Sequence, residues 1–94
     1  MPQVKVGNTL IAESDQTIVV EGNHYFPPDS IKKTHFKDSN THTTCPWKGV
    51  ASYYNVEADG QTIPDAAWYY PQTKEKAENI KNYVAFYTTK VTIS

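Results

Sequence analysis

Residues 48–70 read KGVASYYNVEADGQTIPDAAWYY, and this stretch decides the fold. From Lys48 to Ala58, alternation sets Val50, Tyr54, Val56 and Ala58 on one face and Ala51, Tyr53, Asn55 and Glu57 on the other. That is the period of two a strand requires. Asp59-Gly60 supplies residues that tolerate positive φ in a two-residue turn, and the chain returns through Gln61-Thr62-Ile63 to Ala66-Ala67-Trp68-Tyr69-Tyr70. Pro64 has no backbone donor, which confines it to a sheet edge or a bulge.

The text on either side extends this hairpin. Upstream, Val4-Lys5-Val6 and Thr9-Leu10-Ile11-Ala12 flank Gly7-Asn8, a second hairpin signal. A strand over residues 17–21, a turn at Gly22-Asn23 and a return through His24-Tyr25-Phe26 would complete a four-strand meander. Pro27-Pro28 stops pairing, Asp29-Ser30 opens a short turn, and Asp38-Ser39-Asn40 reads as a loop. Downstream, good helix formers surround Ala77 and Ile80, whose spacing of three continues to Val84. This predicts a short helix of about two turns within residues 73–81, with Thr73 as N-cap. Strand character returns at Tyr83-Val84-Ala85-Phe86-Tyr87 and at Val91-Thr92-Ile93.

Composition agrees. Val, Ile, Thr, Tyr, Phe and Trp supply 37 of the 94 residues against one Leu and one Met, which favours pleated surfaces over helices. The expected fold is mainly β: two antiparallel sheets built from hairpins, with one short helix near the C-terminal third, all in a single domain spanning residues 1–94. At this length the core is thin, and most large aromatic residues must help build it.

Charge narrows the function. Nine Lys against ten Asp and Glu give a net charge of −1, and there is no Arg, so the usual fork for phosphates and guanine edges is missing. Nucleic acid is therefore not an expected partner. Met1-Pro2-Gln3-Val4-Lys5 lacks the pattern of a secretory leader and no stretch approaches a bilayer span, so the expectation is a cytoplasmic protein with no membrane partner. The single cysteine, Cys45, forms no internal disulfide and completes no four-thiolate zinc site. No metal or cofactor is expected.

The densest chemical text is Thr41-His42-Thr43-Thr44-Cys45-Pro46-Trp47-Lys48-Gly49, which holds an imidazole, a thiol, an indole and an ammonium within seven residues. Pro46 and Gly49 would present Trp47 and Lys48 on a rigid corner, on opposite faces if strand alternation continues through it. Lys48 reads either as a solvated strand end or as a charge for an anionic ligand, with a lowered pKa if Tyr and Trp rings desolvate it. Cys45 reads either as a buried inert thiol or as a nucleophile, although three residues along an extended chain would point it away from His42. Tyr53-Tyr54, Trp68-Tyr69-Tyr70 and Phe86-Tyr87 send rings to both sides of a strand. Some rings must then meet a second environment: a helix over the sheet, a partner subunit or a ligand cleft. No phosphate-binding glycine loop and no G-x-S-x-G elbow is present.

Cys45-Pro46-Trp47-Lys48-Gly49, Ala51-Ser52-Tyr53-Tyr54, Ala66-Ala67-Trp68, Tyr70-Pro71 and Tyr83-Val84-Ala85-Phe86-Tyr87 together give the chain its resemblance to a family, the domain of unknown function numbered 427. Ala12-Glu13-Ser14 and Tyr25-Phe26-Pro27 with Asp29 extend it over nearly the whole sequence. The resemblance implies a β-tent-like fold, two sheets meeting at an angle with a cleft near the Cys-Pro-Trp-Lys-Gly segment. Related domains often hold zinc through paired Cys-x-x-Cys motifs, and this chain has none. A nucleotidyltransferase-like label attached to the family implies chemistry that no motif here supports by spacing.

Two functional readings use the same residues. The leading one is a small-molecule binding domain, open to enzymatic activity of unknown type. Its cleft is lined by Trp47, Lys48, Trp68, Tyr53, Tyr54 and Tyr70 with His42 and Cys45 nearby, and Lys48 meets an anionic or carbonyl group. The alternative is a protein-interaction or homodimerisation module built on the same aromatic surface.

Overall fold

The computed structural model describes residues 1–94 and is mainly β, with antiparallel pairing throughout its named strands. The strands are β1 (Gln3–Val6), β2 (Thr9–Glu13), β3 (Ile18–Val20), β4 (Asn23–Tyr25), β5 (Phe36–Cys45), β6 (Gly49–Ala58), β7 (Gln61–Tyr69), β8 (Val84–Phe86) and β9 (Thr92–Ile93). Two main sheets, β2-β1-β9 and β5-β6-β7-β8, carry the hairpin-built architecture that composition and turn chemistry predict.

Both expected two-residue turns form. Val6 pairs with Thr9 around Gly7-Asn8, and Ala58 pairs with Gln61 around Asp59-Gly60. Asp59 and Gly60 adopt φ of 54° and 72°, the double left-handed geometry whose twist suits a tight hairpin. Pro64 sits in a bulge, as its missing donor requires. Val56 pairs with Ile63 but Tyr54 with Ala67, so Pro64, Asp65 and Ala66 stand opposite Asn55 alone. Asp65 takes φ 50° there, and its N–H donates to the Asn55 side-chain oxygen at 2.9 Å.

β5–β8 form the central sheet, and its two faces meet different cores. On one face Tyr54, Val56, Ala67 and Phe86 pack with Val4, Val6, Ile11 and Ala12 of the β2-β1-β9 sheet. On the other, Ala51, Tyr53 and Ala85 pack with Tyr25, Ile18 and Val20 of the β3-β4 ribbon and with Ala77 and Ile80. The second environment for the aromatic rings is thus a short helix and a ribbon laid over the sheet.

Five local expectations change. First, β1 to β4 are not one meander, because β3-β4 is a separate ribbon that joins the central sheet through a reciprocal Phe26–Val84 backbone pair, both bonds 2.8 Å. Second, its turn is Glu21-Gly22, one residue earlier than expected, with φ of 54° and 81°. Putting a non-glycine residue in the left-handed region costs about 1–2 kcal/mol, and here it brings the Glu21 carboxylate to Lys48. Third, Asp38-Ser39-Asn40 runs inside β5 as an irregularity between Asp38 and His42. Polar residues suit it because Ser39 and Thr41 hydroxyls donate to the Asp65 carboxylate at 2.5 and 2.7 Å, tying this irregularity to the β7 bulge.

Fourth, the predicted helix is the 3-10 helix Glu75–Ile80, with Lys74 at its N-cap and no side-chain cap; Thr73 donates instead to the Glu78 carboxylate at 3.1 Å. A spacing of three is the repeat of a 3-10 helix, so Ala77 and Ile80 bury on one side. Fifth, Val50 is 51% exposed and lies outside the core that takes Tyr54, Val56 and Ala58.

Phe26 is fully buried and meets Phe86 edge-on with ring centroids 5.6 Å apart. Phe26→Ala should therefore cost about 3–5 kcal/mol in urea unfolding. Val19→Ala, on a side chain 58% exposed, should stay within about 0.5 kcal/mol of wild type.

Candidate functional site

The corner between β5 and β6 is a three-residue turn, Pro46-Trp47-Lys48, closed by the Cys45–Gly49 pair. Gly49 adopts φ +123°, and a Cβ built on it would lie 2.8 Å from the backbone oxygen of Gln72. No other residue type fits there without moving backbone. The crossing segment also clamps the corner: the Lys74 N–H donates to the Lys48 carbonyl at 3.0 Å, and the Lys74 ammonium donates to the Pro46 carbonyl at 2.7 Å.

Lys48 is only 6% exposed and is the buried charged residue of the chain. Its Nζ lies 4.9 Å from the Trp47 ring centroid and 5.8 Å from that of Tyr70. Trp47 and Lys48 lie in a turn, outside strand alternation, so they meet at one point instead of taking opposite faces. The counter-charge is Glu21 at the ribbon tip, whose carboxylate accepts a hydrogen bond from the Lys48 ammonium. Burial alone would lower the Lys48 pKa, but the hydrogen bond to Glu21 and the neighbouring Tyr25, Cys45 and Glu21 groups outweigh it, and the net shift is upward. Lys48 is thus an ammonium at neutral pH, offering charge and hydrogen bonds instead of an amine nucleophile. The same hydrogen bond and charge hold the Glu21 carboxyl below its ordinary value.

An aromatic wall continues from this ion pair across the same face of the sheet. The Trp68 indole N–H donates to the Tyr25 hydroxyl at 3.2 Å, with the two rings nearly perpendicular. Trp68 also packs on Tyr87 at 4.7 Å, and Tyr87 stacks with Tyr53 at 6.4 Å. The Tyr53 hydroxyl shares a 2.9 Å hydrogen bond with Thr43. Cys45 is half-buried and packs against this cluster.

The structure therefore brings together Trp47, Lys48, Tyr70, Trp68, Tyr53 and Cys45, and separates two candidates from them. Tyr54 faces the other core, stacked on Tyr69 at 4.6 Å. His42 pairs with Ser52 on that same face of the sheet, opposite Cys45, as its spacing implied. Sequence reasoning passed over Glu21, Tyr25 and Tyr87 as site residues. The usable signal for Glu21 was a charged residue directly before Gly22, where a tight turn needs positive φ. No three His, Cys, Asp or Glu side chains gather as a metal-ligating group, and no helix is long and apolar enough to cross a membrane.

An antiparallel β domain with a buried ammonium beside an aromatic wall is the class these observations define. The chain belongs to the family described as a domain of unknown function, DUF427, whose family model matches residues 2–94. A search of curated proteins found no match.

The pKa directions fix a pH window. Glu21, shifted down, contributes stability present above its unfolded value of 4.5 and lost as pH falls through the lower folded value. The stability difference between wild type and Glu21→Gln should then be present at pH 7 and vanish in acid, as read by thermal melts. Burial raises the Tyr54 pKa to about 12, and the hydrogen bond to Tyr53 followed by burial raises Tyr87 to about 12. Burial also raises Tyr25 and Tyr70. A raised tyrosine adds stability that is full below its unfolded pKa of 10.0 and is lost as pH rises toward the folded value. Absorbance at about 295 nm should show Tyr54, Tyr70 and Tyr87 still protonated at about pH 11, with Tm falling as pH rises further. Ordinary titration of all the tyrosines near pH 10 would contradict the packing described.

Proposed function

We propose that this domain binds a small molecule bearing a carboxylate or another anionic group, with Lys48 as the anchoring charge and Trp47, Tyr70 and Trp68 as the flat apolar wall. One observation carries the reading: a lysine 6% exposed takes its counter-charge from Glu21, whose side chain is 56% exposed at a left-handed turn. Burying an ammonium costs free energy unless a partner compensates it. In the free protein Glu21 is that partner. A ligand carboxylate of the same chemistry displaces it, while the exposed Glu21 returns to water at little cost. The Trp47 ring, 37% exposed, then supplies stacking area.

The reading predicts opposite effects for the two partners of the ion pair. Thermal shift against small organic acids, followed by calorimetry on a hit, should show Lys48→Met weakening binding by about 1.5–3 kcal/mol, the scale of a lost charge-assisted hydrogen bond. Glu21→Gln should tighten binding, because the internal competitor is gone. Equal affinity in all three proteins would remove Lys48 from the site.

A second reading rests on Trp47 and Tyr87, each 37% exposed. Large aromatics left partly open suit contact with a protein partner or a second copy of this chain. Sedimentation across a concentration series tests it: a dimer lost in Trp47→Ala and Tyr87→Ala would favour an interaction module over a ligand site.

A further inference from the structure

We propose a second small-molecule site, on the opposite face of the central sheet from Lys48. A cavity of about 430 Å³ lies between the exposed ends of β5 and β6 and the crossing segment that follows β7, lined by His42, Val50, Ser52, Pro71, Gln72 and Lys74. Its size falls within the range of small-molecule pockets and exceeds what an inorganic ion fills.

The lining defines the ligand class. His42 and Lys74 are its titratable side chains, and no carboxylate lines it. Thr73, which also lines the cavity, spends its hydroxyl on the Glu78 carboxylate at 3.1 Å. Lys74 spends one ammonium donor on the Pro46 carbonyl at 2.7 Å, which positions the group and leaves two donors. His42 makes a long 3.4 Å contact with Ser52 through Nδ1, leaving Nε2 open. Val50, 51% exposed, supplies an apolar wall together with Pro71. A cationic donor, neutral polar groups and a half-exposed valine in one lining fit a small organic acid with an apolar body. The site shares only the backbone of the corner with the Lys48 cluster, so it stands or falls independently of that reading.

The experiment is a two-dimensional amide NMR titration of the whole chain with benzoate, acetate and inorganic phosphate. Benzoate should shift the amides of residues 42, 49–52 and 72–74 saturably, and more tightly than acetate or phosphate. Lys74→Met should weaken benzoate by about tenfold, the equivalent of one charge-assisted hydrogen bond. Val50→Asp should abolish the shifts by placing a carboxylate where the ligand sits. Both substituted side chains are exposed, and Val50→Asp decides the matter should loss of the Lys74–Pro46 contact unfold the first variant. Shifts centred on residues 21, 25, 47 and 48 would overturn the second site and assign benzoate to Lys48. Phosphate bound as tightly as benzoate, or saturable shifts unchanged in Val50→Asp, would also overturn it, as would no saturable shift with any probe.

Discussion

A four-stranded sheet with apolar side chains on both faces must be covered on both, and this constraint organises the molecule. Alternation along β6 sends Tyr54 and Val56 one way and Ala51 and Tyr53 the other. With one leucine in the chain, the cover is built from β-branched and aromatic side chains. A three-stranded sheet serves the first face. The second receives smaller pieces, a two-stranded ribbon and a 3-10 helix, neither of which would hold its shape alone.

The candidate site follows from that second cover. The ribbon is fixed to the sheet edge at Phe26–Val84, so its free tip is carried over the Pro46-Trp47-Lys48 corner. Tyr25 reaches Trp68 from the same ribbon, and Tyr70 leads into the segment that clamps Gly49. The groups around Lys48 therefore come from elements whose first task is to bury the sheet. The polar corner and the hydrophobic core share one scaffold.

Much of the fold was legible because its signals are local. Gly7-Asn8 and Asp59-Gly60 carry the dihedral demands of their turns in their own residue types, and Pro64 announces its bulge by what it lacks. Ala77 and Ile80 show a helical repeat, but two spaced residues do not separate a 3-10 from an α geometry. What escaped is long-range. Asp38-Ser39-Asn40 looked like a loop because the acceptor for Ser39 and Thr41 is Asp65, more than 20 residues away. The corner segment pointed to Trp47 and Lys48, whereas Glu21 is 27 positions from Lys48 and no periodicity links them. Tyr54 and Tyr53 are neighbours in sequence, and only the sheet separates them.

The left-handed backbone at Glu21 sets two selective forces against each other at one codon. Glycine in its place would relax the turn and would also erase the counter-charge of Lys48. Laboratory evolution for heat tolerance alone would weigh relief of the turn, about 1–2 kcal/mol, against the cost of a buried ammonium left unbalanced. Retention of the carboxylate under such pressure would mean that the charge at this corner, and not the ease of the turn, is what the position is kept for.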